Sequence, residues 1–144
     1  MMFELVYCSK AKKDTDSIKI FEILKTSRTN NQKFGITGCL VFHNDIFVQI
    51  IEGDSKNIHN LYQNIEQDER HYDVNLLWEG YIPKRNFNDW SMAFHDLADG
   101  IINEEDILTF EQNLFQLSET ADKTSPASYL FWLNVRKQII GWLV

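Results

Sequence analysis

The chain has 144 residues, 44% of them hydrophobic, enough for one folded domain with its own core and too apolar for a disordered segment. Its net charge of −7 comes without any basic run, which argues against direct nucleic-acid binding. The start, MMFELVYCSKAKKD, has no basic stretch ahead of an apolar one, and the apolar end, residues 129–144, is interrupted by Asn134, Arg136, Lys137 and Gln138. Neither a signal peptide nor a membrane span is expected, and a cytoplasmic protein is. Cys8 and Cys39 sit in apolar strand-like runs without framework or zinc spacing, so they read as buried free thiols and no metal site is expected.

In chain order, residues 3–9 read as a strand with Phe3, Leu5 and Tyr7 on one face. Residues 14 to about 27 read as a helix on the spacing of Ile20, Ile23, Leu24 and Ser27, followed by the polar cluster Ser27–Asn31. GITGCLVFH, residues 35–43, is a second strand, and Asn44-Asp45 turns it into a third over 46–52. Asp54 or Ser55 caps a second helix with the stripe Ile58, Leu61, Tyr62 and Ile65. Residues 74–82 form a fourth strand and WSMAF, 90–94, a fifth. Residues 103–106 open a helix, and Ser125-Pro126 opens a last one reaching about Trp142, apolar on nearly all sides.

The order β-α-β-β-α-β-β predicts an α+β, ferredoxin-like sheet with an added strand. Two helices cover one face, and the two C-terminal helices cover the other. The expected division is a core over residues 1–96 and a helical extension over 97–144.

Within the third strand, FVQIIEGD, alternation puts Gln49 on the same face as Phe47 and Ile51. A buried amide left unpaired costs on the order of 1–3 kcal/mol, so Gln49 needs partners. If the strand order is that of a split βαβ, then Tyr7, Gln49, Asn31 and Trp90 converge between the two helices. Taken singly, each residue has an ordinary structural role: core tyrosine, satisfied core amide, helix end, core indole. Together, phenol, amide and indole groups in an apolar cleft suit a planar heteroaromatic ligand with donors and acceptors along one edge.

Five blocks carry a resemblance: LVYCSKA, TSRTNNQKFGITGCLVF, FVQIIEGD, IEQDERHYDV and FNDWSMAF. In this order and spacing, across roughly residues 3–96, the chain resembles the BLUF domains, blue-light sensors using flavin. The resemblance implies non-covalent binding of an oxidised flavin, with FAD expected and FMN or riboflavin as alternatives. It implies that Tyr7 donates an electron to the excited flavin and that Gln49 bridges Tyr7 and the flavin. Asn31 matches the asparagine on the pyrimidine edge, with Asn30 a second contact. Trp90 and Met92 match the fifth-strand residues that exchange contacts with the glutamine, and Ser27 is a partner for the Trp90 indole. Arg70 and His71 match a pair near the ribityl and phosphate end, while Ile23, Leu24, Phe47 and Ile65 line the walls. The resemblance implies no enzyme activity. The signal is expected to leave through strand 90–96 and the C-terminal helices to a partner protein, and a homo-oligomer is expected. The alternatives are a flavin-dependent enzyme, for which the cleft offers no acid–base pair, and a cofactor-free ferredoxin-like binding module. Trp78 is a further indole whose direction the sequence leaves open.

Overall fold

The computed structural model describes residues 2–12, 22, 26–27, 29–43, 45–87, 90–94 and 125–140, with the backbone alone for 43, 90–94 and 138–140. The expected walls at Ile23 and Leu24 and the helix expected from residue 103 lie outside the described residues. Five strands are described: β1 (Met2–Ala11), β2 (Thr37–His43), β3 (Ile46–Asp54), β4 (His71–Ile82) and β5 (Trp90–Phe94). They form one sheet in the order β4-β1-β3-β2-β5, antiparallel throughout except for the parallel β2/β5 pair. This is the expected ferredoxin-like α+β arrangement with its added strand.

Asp54 caps α1 (Ser55–Gln67), its carboxylate accepting from the Lys56 N–H at 3.2 Å. Ser125 caps α2 (Pro126–Asn134) in the same way, and Pro126 occupies the first turn, where a missing N–H costs nothing. The last helix departs from expectation at Val135, where the path continues as a π-helix to Ile140.

Alternation along β1 and β3 separates two cores. Phe3, Leu5, Tyr7 and Ile51 pack with Ile36 under Ile58 and Tyr62 of α1. Val6, Cys8, Val48 and Ile50 pack with Cys39 and Val41 of β2 under Ala127, Phe131 and Trp132 of α2. The last helix therefore covers the far face. Two irregularities interrupt the β1/β4 ladder, between Val6 and Tyr7 and between Cys8 and Lys10. Trp78 pairs with Val6, a far-face residue, so it lies on the face opposite Tyr7.

The first helix ends later than its apolar spacing suggests. Residues 29–33 are helical. Gly35 follows with φ +65°, and its N–H meets the Gln32 carbonyl at 3.4 Å while that of Ile36 meets the Asn31 carbonyl at 2.8 Å. This is a Schellman cap, with glycine in the left-handed conformation that side chains resist. Asn30 and Asn31 thus belong to the last helical turn, not to a loop after it. Gly38 answers a different need. A Cβ there would lie 2.0 Å from the Ile50 carbonyl oxygen, so only glycine lets β2 run this close to β3.

Candidate functional site

Tyr7 and Gln49 are directly opposed across β1 and β3. The Tyr7 hydroxyl donates to Gln49 Oε1 at 2.6 Å, and both side chains are buried. That bond answers what the amide on an apolar face is paired with. With its oxygen engaged by the phenol, Gln49 has its NH2 to offer the cavity it lines. Burial pushes the Tyr7 phenol well above its ordinary range, with smaller contributions from Tyr62 and Asp68. Tyr62, whose ring centroid is 5.7 Å from that of Tyr7, is pushed up to about 12, again chiefly by burial. The Tyr7 phenol is therefore neutral at any physiological pH and stays a proton donor to the glutamine.

Beside this pair lies a cavity of about 150 Å³ between the sheet, α1 and the helical residues 26–27 and 29–31. Tyr7, Ser27, Asn30, Asn31, Phe47, Gln49, Ile65, Arg70 and His71 all line it, so the sequence-predicted residues whose side chains are described come together. The Schellman cap holds the turn that presents Asn31, whose side chain is almost wholly buried. For Trp90 and Met92 the described backbone pairs with Gly38 and Leu40 of β2. Leu40 in turn faces Gln49 across β3, so Met92 is in register with the glutamine two strands away.

Thr26, Leu40, Leu61, Asn64 and Asp68 also line the cavity and were not singled out from sequence. Two of them were within reach. The β2/β3 register, in which His43 pairs with Ile46, places Leu40 opposite Gln49. Leu61 belongs to the α1 stripe. Asp68 reads from sequence as part of a solvated acidic rim with Glu66 and Glu69. In the structure it caps α1 and accepts from Arg70 Nε at 2.9 Å, which holds its carboxyl below the ordinary range. The Arg70 guanidinium is thus oriented by Asp68 at the cavity end. His71 is fixed as well. Its Nε2 lies 2.5 Å from the Ile65 carbonyl, which can only accept, so Nε2 donates there, and Nδ1 lies 2.8 Å from the Ser9 hydroxyl. His71 thereby ties β4 to β1 and to the end of α1, and its ring edge meets Phe47.

Comparison with known proteins agrees with this geometry. The family model described as "BLUF: Sensors of blue-light using FAD" matches residues 2–93. The blue light- and temperature-regulated antirepressor BluF of Escherichia coli (strain K12) is 33% identical over 97 residues, covering 67% of this chain and 24% of that protein. The chain thus spans about a quarter of that relative's length. A bacterial light-regulated adenylyl cyclase aligns with a TM-score of 0.63 and 33% identity over 92% of this chain and 40% of the other. The dark-state structure of the BLUF protein BlrB aligns with a TM-score of 0.65 and 27% identity, covering 90% of both chains. Among the described residues no helix is long and apolar enough to cross a membrane. The match takes in β1 to β4 and all but the last residue of β5: this chain belongs to the BLUF family of blue-light sensors that use flavin.

Proposed function

We propose that this chain is a blue-light receptor holding an oxidised flavin, FAD in the first instance, non-covalently in the cavity beside Tyr7 and Gln49. The lining fits such a group on its own chemistry. Amides from Asn30, Asn31, Gln49 and Asn64 offer donors and acceptors to a pyrimidine edge, and Leu40, Phe47, Leu61 and Ile65 give apolar walls for a planar ring. Arg70 supplies positive charge at the other end for a phosphate. Ser27 lines the same cavity, and Ile23 and Leu24 are proposed as further flavin contacts on the family resemblance alone.

The flavin supplies the absorption of blue light and the acceptor for an electron. With the flavin held there, Tyr7 would be the electron donor and its bond to Gln49 Oε1 the path for the phenolic proton, Gln49 giving up an Nε2 proton as it takes that one, and the electron and a proton would afterwards return to Tyr7. Gln49 then rotates or changes tautomer, exchanging donor for acceptor without a large movement. Trp90 and Met92 on β5, two strands away, respond to the new amide orientation, with Ser27 receiving the Trp90 indole. The altered strand and the C-terminal helices carry the change to a partner protein, in a cytoplasmic and homo-oligomeric receptor that binds neither nucleic acid nor membrane directly. The observation that carries this reading is the buried 2.6 Å Tyr7–Gln49 bond at the cavity wall.

The test is the absorption spectrum of the purified protein before and after blue light. The expected result is an oxidised-flavin spectrum that shifts slightly to the red and recovers in darkness. Tyr7→Phe and Gln49→Ala are expected to bind flavin yet lose that shift. A wild-type photocycle in either variant overturns its assigned role. A flavin turned over by a substrate points to the enzyme reading, and protein that stays colourless with added flavin leaves the binding module.

A further inference from the structure

Three residues along β1 and β3 from the Tyr7–Gln49 pair, on the far face, Glu4 and Glu52 are directly opposed, and both are fully buried. Opposed like charges repel across a ladder, and the two acids are treated differently by their surroundings. Glu52 accepts from the Phe87 N–H at 2.7 Å, the Asn86 N–H at 2.9 Å and the Thr37 hydroxyl at 2.9 Å, donors that between them engage both of its oxygens. Glu4 Oε2 accepts from the Ala127 N–H in the first turn of α2 at 3.2 Å, and among the described residues Glu4 Oε1 has no hydrogen-bond partner. An ionised carboxylate so placed would be desolvated, half-bonded and beside the charge of Glu52. As a carboxylic acid it loses the repulsion and the cost of a buried charge and still accepts from α2, although the Ala127 N–H taken alone favours the carboxylate.

The charged groups facing Glu4 among the described residues are few. From β3 comes Glu52. From β4 come Gly80, directly opposite, and the indole of Trp78. From α2 come Ser125 and the uncharged residues Pro126–Tyr129. From the segment after β4, Arg85 reaches the Glu52 backbone carbonyl and the Thr37 hydroxyl. No cation among these faces Glu4. Burial, opposed only in part by Ser125, Ala127 and Trp78, pushes its carboxyl above the ordinary 4.5, and Glu52 adds to the rise. What keeps water away is α2, whose Ala127 and Ser128 are buried over it.

We propose that Glu4 is a proton-operated latch: as a neutral acid it seats the first turn of α2 on the sheet, and its ionisation releases that turn to water. The latch itself stands apart from the light reaction. Its consequence, that light output through the last helix depends on pH, rests on the function proposed above. The sign follows from the raised value. Stability from the seated acid is complete below about pH 4.5 and declines as pH rises through the titration of folded Glu4.

The experiment is done in the dark on the full chain, following the Glu carboxyl carbons by NMR against pH and the hydrogen exchange of α2 amides corrected for intrinsic rate. Glu4 is expected to titrate above the other glutamates, and α2 protection to fall over the same pH interval. In Glu4→Gln, which keeps the acceptor for Ala127 and cannot ionise, that loss of protection is expected to vanish. Titration of Glu4 in the ordinary range overturns the proposal, as does the same pH-dependent loss in Glu4→Gln. If Glu4→Gln does not fold, the wild-type carbon titration and exchange decide alone. If illumination produces no flavin shift while Glu4 titrates as expected, the light reading fails and the latch stands.

Discussion

The same two strands carry two buried polar pairs, one on each face, and they are built on opposite principles. Tyr7 and Gln49 are a donor and an acceptor facing each other, so burial strengthens their bond. Glu4 and Glu52 are two acids facing each other, so burial sharpens their conflict, and among the described residues one of them has an oxygen without a partner. The first pair is stable as built and is disturbed by moving an electron. The second is stable only while one proton stays in place. Position in a register thus says less about a buried pair than the sum of donors and acceptors it presents.

Substitutions can break or sharpen that contrast. The largest expected effect lies in the apolar core on the same face as the acid pair. Phe131→Ala removes a fully buried ring between α2 and the sheet and is expected to cost about 3–5 kcal/mol in denaturant unfolding. Glu52→Gln comes next. It turns an acceptor toward the Asn86 and Phe87 N–H groups into a donor, with an expected loss of roughly 1–3 kcal/mol. Glu4→Gln should instead raise the thermal midpoint at neutral pH, and equal effects of the two variants would erase the distinction between the acids. Tyr7→Phe leaves Gln49 Oε1 without its donor and is expected to cost about 1 kcal/mol, even as the light-induced shift disappears. The smallest effect concerns the exposed Asp68–Arg70 pair. Because its carboxyl is held low, it contributes stability above the ordinary carboxylate range and loses it as pH falls below. Solvent screening keeps this to a few tenths of a kcal/mol, measurable as a slightly shallower acid limb in Asp68→Asn.

Much of this was legible in the sequence where the signal is local. Alternation in FVQIIEGD placed Gln49 and Ile51 on one face and Val48 and Ile50 on the other, and the structure has them so. The caps at Asp54 and Ser125-Pro126 were equally readable. The end of the first helix was missed because polar Asn30 and Asn31 interrupt the apolar spacing, although Gly35, two positions after Lys33, carried the stop signal. The side taken by Trp78 could not be read, because an irregularity between Val6 and Tyr7 shifts the β1/β4 pairing and such shifts leave no pattern in composition. The Glu4 contact with Ala127 spans 123 positions and depends on where α2 lands, which no local rule supplies.

The breaks in the β1/β4 ladder also bear on how the molecule behaves at high concentration. β4 is twelve residues long and lies at the edge of the sheet, where a straight strand of that length is a template for growth by strand addition. Its pairing with β1 runs unbroken only from Met2 to Val6, and Asp73 turns the backbone to φ +52° near the start of β4. A bent edge offers an incoming strand no long run of matched hydrogen bonds. The irregularity that turns Trp78 away from Tyr7 thus also shortens the matched run that an incoming strand could pair with.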